Sequence, residues 1–110
     1  MEVLFPTDKL KRLFSDHRSL QRRWGDVGAT KIALRLQQLA AADTLEDLRQ
    51  LPGRSHELAG DRQGRVAIDL HHPFRLVFRP TDNPPPLKGD GGLDWSAVDS
   101  VTVDEVVDYH

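Results

Sequence analysis

Apolar positions recur with a helical period as far as about residue 50 and with a period of two beyond residue 53, which divides the chain into a helical half and a stranded half. Glu2 to Phe5 is a short apolar run closed by Pro6. It reads as a first or edge strand, because proline cannot donate to a ladder. From Thr7, Leu10, Leu13 and Phe14 recur at helical spacing among Lys9, Lys11 and Arg12, and a second helical stretch runs from Ser15 through Leu20 and Trp24 to Gly25. A glycine there predicts a C-terminal stop. The longest helix is predicted over 26–42, with Ala29, Ile32, Ala33, Leu36, Leu39 and Ala40 in one stripe and Lys31, Arg35 and Gln38 facing away. Thr44-Leu45-Glu46-Asp47 then opens a short further helix as a capping box, ended by Leu51-Pro52-Gly53.

Beyond Gly53, Val66, Ile68 and Leu70 alternate with Arg65, Ala67, Asp69 and His71, the pattern of a half-buried strand. His72-Pro73 suits a tight turn, and Phe74, Leu76 and Phe78 alternate in their turn with Arg75, Val77 and Arg79, so the two runs predict an antiparallel hairpin with its arginines on one face. Residues 81–96, with Pro84-Pro85-Pro86 and Gly89-Asp90-Gly91-Gly92, predict a long, mobile surface loop or extended hairpin tip. Trp95 within it either anchors a partner from a flexible arm or packs down on the sheet edge. Val101, Val103, Val106 and Val107 predict a last strand running to Tyr109 and His110. Helices followed by a meander of strands imply an α+β domain, N-terminal helices packed on one face of a small, mainly antiparallel sheet, with the other face open to an extended, charged ligand.

The 110 residues suffice for one domain spanning 1–110 without disulfides or a structural metal. Absence of cysteine excludes thiol nucleophiles, thiolate zinc sites and a disulfide framework, and makes a cytoplasmic location the expectation. Neither a targeting segment nor a membrane span is predicted from the sequence. The net charge of −2 hides an asymmetry: residues 1–79 carry 14 Lys and Arg against 10 Asp and Glu, whereas residues 80–110 carry one Lys against seven acidic residues. A basic surface for phosphate is therefore compatible with an acidic total.

Among chemistry-bearing residues, His56, the His71-His72 pair and His110 are the histidine candidates, with His17 expected at the surface. Histidine suits proton transfer near neutral pH, and arginine gives permanent, bidentate charge to a phosphate. RNA supplies its own nucleophile, the 2′-hydroxyl, so His or Tyr beside Arg can cleave it with no metal or other cofactor. Each residue also has a plainer reading. Arg75 is half of a surface ion pair, His71 and His72 are solvated at a turn, Tyr109-His110 is a frayed end, and the lysines and arginines of residues 9–23 are the wet face of a helix. No His-Glu-x-x-His or comparable metal-ligand spacing is present.

The run His56-Glu57-Leu58-Ala59-Gly60-Asp61-Arg62-Gln63-Gly64, then Val66-Ala67-Ile68-Asp69-Leu70, Phe74-Arg75-Leu76-Val77-Phe78-Arg79, and the ending Asp108-Tyr109-His110 resemble, in order and spacing, the HigB branch of the RelE/ParE toxin superfamily. Lys9-Leu10 and the long helix holding Arg35-Leu36 and Leu39 extend the likeness over nearly the whole chain, and residues 81–95 fall outside the common pattern. The resemblance implies a RelE-like fold and a type II toxin that cleaves mRNA in the ribosomal A site by 2′-hydroxyl attack, leaving a cyclic phosphate. It implies His56 and His110 as acid and base, Arg75 as the phosphate clamp, and Asp108 and Tyr109 as orienting groups; Arg62, Arg65 and Arg79 are the residues expected to bind RNA beside them. It also implies a helix-turn-helix antitoxin of the HigA kind as partner, with operator DNA reached only through that antitoxin. Many HigB toxins carry lysine where this chain has Ala59, which removes one expected positive charge and leaves Arg62 to compensate. The alternative from another class is a non-catalytic binding module, a ParE-like gyrase inhibitor or a degenerate toxin that only binds its antitoxin. A lone DNA-binding regulator is disfavoured by the lack of a helix-turn-helix pattern.

Overall fold

The computed structural model describes residues 1–108. They form β1 (Glu2–Leu4), α1 (Asp8–Ser15), α2 (His17–Ala41), a 3₁₀ turn (Leu45–Gln50), β2 (His56–Glu57), a second 3₁₀ turn (Gly60–Arg62), β3 (Val66–Asp69), β4 (Phe74–Pro80), a third 3₁₀ turn (Trp95–Ala97) and β5 (Ser100–Asp108). The strands make one sheet in the order β1-β5-β4-β3-β2. Only the β1–β5 pairing is parallel. The fold is thus α+β with a mainly antiparallel sheet.

Local chemistry explains the helix boundaries. Thr7 caps α1 by accepting from the Leu10 N–H at 3.2 Å, and Asp16 caps α2 by accepting from Arg18 N–H at 3.2 Å and from the Ser19 hydroxyl at 2.8 Å. Gly25, at φ 76° and ψ 178°, takes a non-helical conformation that is essentially confined to glycine, yet the chain resumes its helix at once, so the predicted stop is a kink inside α2. Asp47 completes the predicted capping box by accepting from the Thr44 N–H. One face of the sheet buries Val66, Ile68, Leu76, Phe78 and Val103 against Phe14, Leu20, Ile32 and Leu39 of the helices.

Three expectations are corrected. Arg35 does not face away with Lys31: it is buried, because it lies three residues after Ile32 on the same helical face, and its guanidinium reaches three oxygen acceptors, while Ala40 is exposed. β3 is not half-buried; Val66, Ala67 and Ile68 are all fully buried. Ala67 pairs with Val77 on the face away from the helices, which Arg65, Arg79 and Glu105 share, and both residues are fully buried there. Segment 81–96 is not a loose arm. Leu87 bridges to Leu93, the Lys88 N–H donates to Gly92 O at 2.7 Å, and the Glu57 carboxylate accepts from the Leu93 N–H at 2.9 Å and from the Trp95 indole N–H at 3.1 Å. Trp95 is buried and carries the Arg49 guanidinium 3.8 Å above its ring, so it packs into the domain rather than projecting from it.

Gly28 in α2 faces the His71 ring, and a Cβ added there would stand 2.7 Å from His71 Cε1 and 2.7 Å from Trp24 Cβ. Gly28→Ala, which would stabilise an exposed helix, is therefore expected to destabilise this one by about 1 to 2 kcal/mol in urea unfolding; an increase in stability would contradict the close packing of His71 on α2.

Candidate functional site on the outer sheet face

The strand register puts His56 of β2, Arg65, Ala67 and Asp69 of β3, Arg75, Val77 and Arg79 of β4, and Thr102, Glu105 and Val107 of β5 on the face opposite the helices. Between Val77 and Phe78 the pairing jumps from Glu105 to Val103. Asp104 is the extra residue of that bulge, which turns it to the outer face. There it takes two arginines, Arg65 through Nε at 3.1 Å and Arg79 through a terminal nitrogen, while Glu105 beside it pairs with Arg62 at 3.0 Å. A cleft of about 440 Å³ lies beside this cluster, lined by Asp61, Gln63, Arg65, Arg79 and Asn83 among others.

A second cluster centres on Asp69. Its carboxylate accepts from Arg54 Nε at 2.6 Å and from Arg75 Nε at 2.9 Å, and its backbone carbonyl accepts from Arg35 Nε at 2.8 Å. A terminal nitrogen of Arg35 donates to the Pro52 carbonyl at 2.9 Å, which ties α2 to the turn leading into β2. Gly53 is needed in that turn: at φ 121° its Cβ would stand 2.7 Å from Ile68 and 3.1 Å from the Arg35 guanidinium. Burial raises the Asp69 carboxyl, but the hydrogen bonds and charges of Arg54 and Arg75 outweigh it and hold the group below the ordinary carboxylate value. Burial lowers Arg35 from its ordinary value, opposed by the Asp69 charge.

His56 is exposed, and its Nδ1 lies 2.8 Å from the Arg54 carbonyl. A carbonyl can only accept, so Nδ1 carries the hydrogen, and in the neutral ring Nε2 is the nitrogen that can accept a proton. His56 and Arg75 stand about 12 Å apart at Cα, two strand spacings across and two residues along. Asp108 is exposed at the end of β5, in register with Phe74 and next to the Val107–Arg75 pair. Tyr109 and His110 lie outside the described residues. His71, expected to be solvated, is half-buried instead, its ring stacked 4.7 Å from Phe74, and its Nδ1 has no hydrogen-bond partner among the described residues. His72 is exposed.

Arg62, Arg65 and Arg79 thus share the outer face with Arg75, and each of the four has a carboxylate partner. Sequence reasoning missed Arg35, Arg54, Asp69 and Asp104. Only Asp69 left a legible signal, its alternation in step with Arg75 across the predicted hairpin. Among the described residues, no three His, Asp or Glu side chains group as metal ligands, and no helix is long and apolar enough to cross a membrane. No family model matches this chain, and no curated protein matches it significantly.

Because Asp69 is held below its unfolded value, its contribution to stability is present above about pH 4 and lost as pH falls through its folded value. Asp69→Asn is expected to unfold at lower urea concentration than the parent at pH 7, by about 1 to 3 kcal/mol, with the difference shrinking toward pH 2; a difference independent of pH would contradict the charged role of Asp69.

Proposed function

We propose that the outer sheet face cleaves RNA, and that the protein is an endoribonuclease toxin of a type II toxin–antitoxin pair, with a RelE-like fold, that cuts mRNA on the ribosome and so inhibits translation. The observation that carries this reading is a histidine whose Nδ1 faces the Arg54 carbonyl, which leaves Nε2 of the neutral ring to accept a proton, on the same face as an arginine held by Asp69. His56 Nε2 takes the proton of the ribose 2′-hydroxyl, the 2′-oxygen bonds to phosphorus, and the bond to the 5′-oxygen breaks as that oxygen receives a proton from an acid, for which His110 is the candidate. The products are a 2′,3′-cyclic phosphate and a 5′-hydroxyl. The Arg75 guanidinium bears on the equatorial oxygens, whose charge rises in the transition state. Asp108 and Tyr109 orient the acid or the substrate. Arg62, Arg65 and Arg79 take flanking phosphates.

The partner in this reading is a helix-turn-helix antitoxin that neutralises the toxin in the cytoplasm and links it to operator DNA. One observation favours the non-catalytic reading: Arg62, Arg65, Arg75 and Arg79 already have carboxylate partners, so an entering RNA must compete with Asp69, Asp104 and Glu105. Such a face suits a binding module with a protein partner that supplies both signs of charge.

On translating ribosomes, with a defined mRNA read by primer extension, the wild-type protein is expected to cut at codon boundaries. Arg75→Ala and His56→Ala are each expected to slow cleavage by about 10²-fold or more, and removal of His110 to abolish it. Undiminished cutting by all three variants would overturn the site; no cutting by folded wild-type protein would favour the binding module.

A further inference from the structure

Arg54 is the one non-glycine residue with positive φ among the described residues, at φ 50°. An L-residue held there costs about 1 kcal/mol or more, and such strain persists only where surrounding contacts impose it. Three contacts do so here: the Asp69 N–H donates to Gly53 O at 2.8 Å, Arg35 donates to Pro52 O, and His56 Nδ1 donates to the Arg54 carbonyl. The outcome is unusual for a strained residue, since the Arg54 side chain is 78% exposed. Its Nε is held by Asp69, whereas its terminal nitrogens make no hydrogen bond among the described residues. The guanidinium is therefore oriented without being used up.

It lines a pocket of about 240 Å³ together with Asp69, His72, Phe74 and Arg75, among others. Arg54 and Arg75 share the Asp69 carboxylate, which holds each guanidinium through its Nε. Planar donors held in this way recognise phosphate oxygens bidentately. We infer that this pocket is a phosphate subsite for RNA, in which Arg54 binds the phosphodiester next to the one engaged by Arg75. The assignment rests on the reading of the outer face as an RNA surface and adds a residue to it that lies outside the strands. Arg54 then has two tasks, since its carbonyl fixes the His56 tautomer while its side chain holds the neighbouring phosphate.

Binding is tested with an uncleavable 2′-O-methyl trinucleotide and, separately, with inorganic phosphate, using the full chain followed by NMR of the arginine Nε–H signals. Arg54→Gly is the informative variant, because glycine adopts φ 50° without strain and Asp69 keeps Arg75 as partner. Arg54→Gly is expected to weaken trinucleotide binding about tenfold and to lower the salt dependence by about one counterion. Arg54→Lys should restore the salt dependence but not the full affinity, since it lacks the planar fork. Equal affinities of wild-type and Arg54→Gly protein for the trinucleotide would overturn the subsite. So would Arg54-dependent binding of inorganic phosphate with no binding of the trinucleotide, which would make the pocket a site for free anions. The two proposals fail separately: Arg54-dependent trinucleotide binding without ribosomal cleavage removes the nuclease and keeps the subsite, whereas cleavage with unchanged KM in Arg54→Gly keeps the nuclease and removes the subsite.

Discussion

Asp69 is where helix, turn and hairpin are joined. Its carbonyl holds Arg35 of α2, its N–H reaches Gly53, and its carboxylate holds Arg54 and Arg75. Every one of these bonds crosses between elements that the hydrophobic core alone would leave free to slide. A buried guanidinium is costly unless its donors are matched, and Arg35 is matched by the carbonyls of Pro52 and Asp69 and by the Gln38 amide oxygen. The same contacts that satisfy Arg35 below the sheet therefore set the backbone of residues 52–54 above which His56 and Arg54 stand. The core supplies the attraction between layers, and the Asp69 junction supplies the register of the proposed site.

The second constraint is the bulge at Asp104. A regular ladder would pair Phe78 with Asp104 itself and would turn that residue toward the core, where an unpaired carboxylate is prohibitive. With the extra residue, Asp104 faces outward and gathers Arg65 and Arg79, while Glu105 takes Arg62. The outer face is consequently a set of oriented, compensated arginines rather than a bare basic patch. For the proposed cleavage this has a mechanical meaning: the guanidiniums are positioned before RNA arrives, and the adjacent carboxylates set a threshold that only a polyanion making several contacts can pass.

Much of this architecture was legible in the sequence because it follows from periodicity. The helical stripe around Ile32 and Leu39, the capping box at Thr44 to Asp47 and the hairpin of Val66–Asp69 with Phe74–Pro80 all express a rule that acts within a few residues, whereas the stop expected at Gly25 is a kink within α2. What was not legible depends on contacts between distant segments. Arg35 carries no local sign that it is buried, since its two carbonyl acceptors are 17 and 34 residues away. The proline- and glycine-rich segment 81–96 has the composition of a loose arm, and distant residues hold it down: Glu57, 36 and 38 residues earlier, through Leu93 and Trp95, and Arg49 over the Trp95 ring. The candidate site was partly legible: His56, Arg75 and the basic residues of the outer face could be named, but their carboxylate partners could not, because ion pairing across a sheet depends on register and on one bulged residue.

Attack by the ribose 2′-hydroxyl fixes the chemistry of both product ends, and those ends test the proposed cleavage most directly. Mass spectrometry of the fragments released from ribosome-bound mRNA is expected to find a 2′,3′-cyclic phosphate on the upstream piece and a 5′-hydroxyl on the downstream piece. Fragments ending in a 3′-hydroxyl and a 5′-phosphate would mean that water, not the ribose, attacks the phosphorus, and would contradict the roles given to His56 and Arg75.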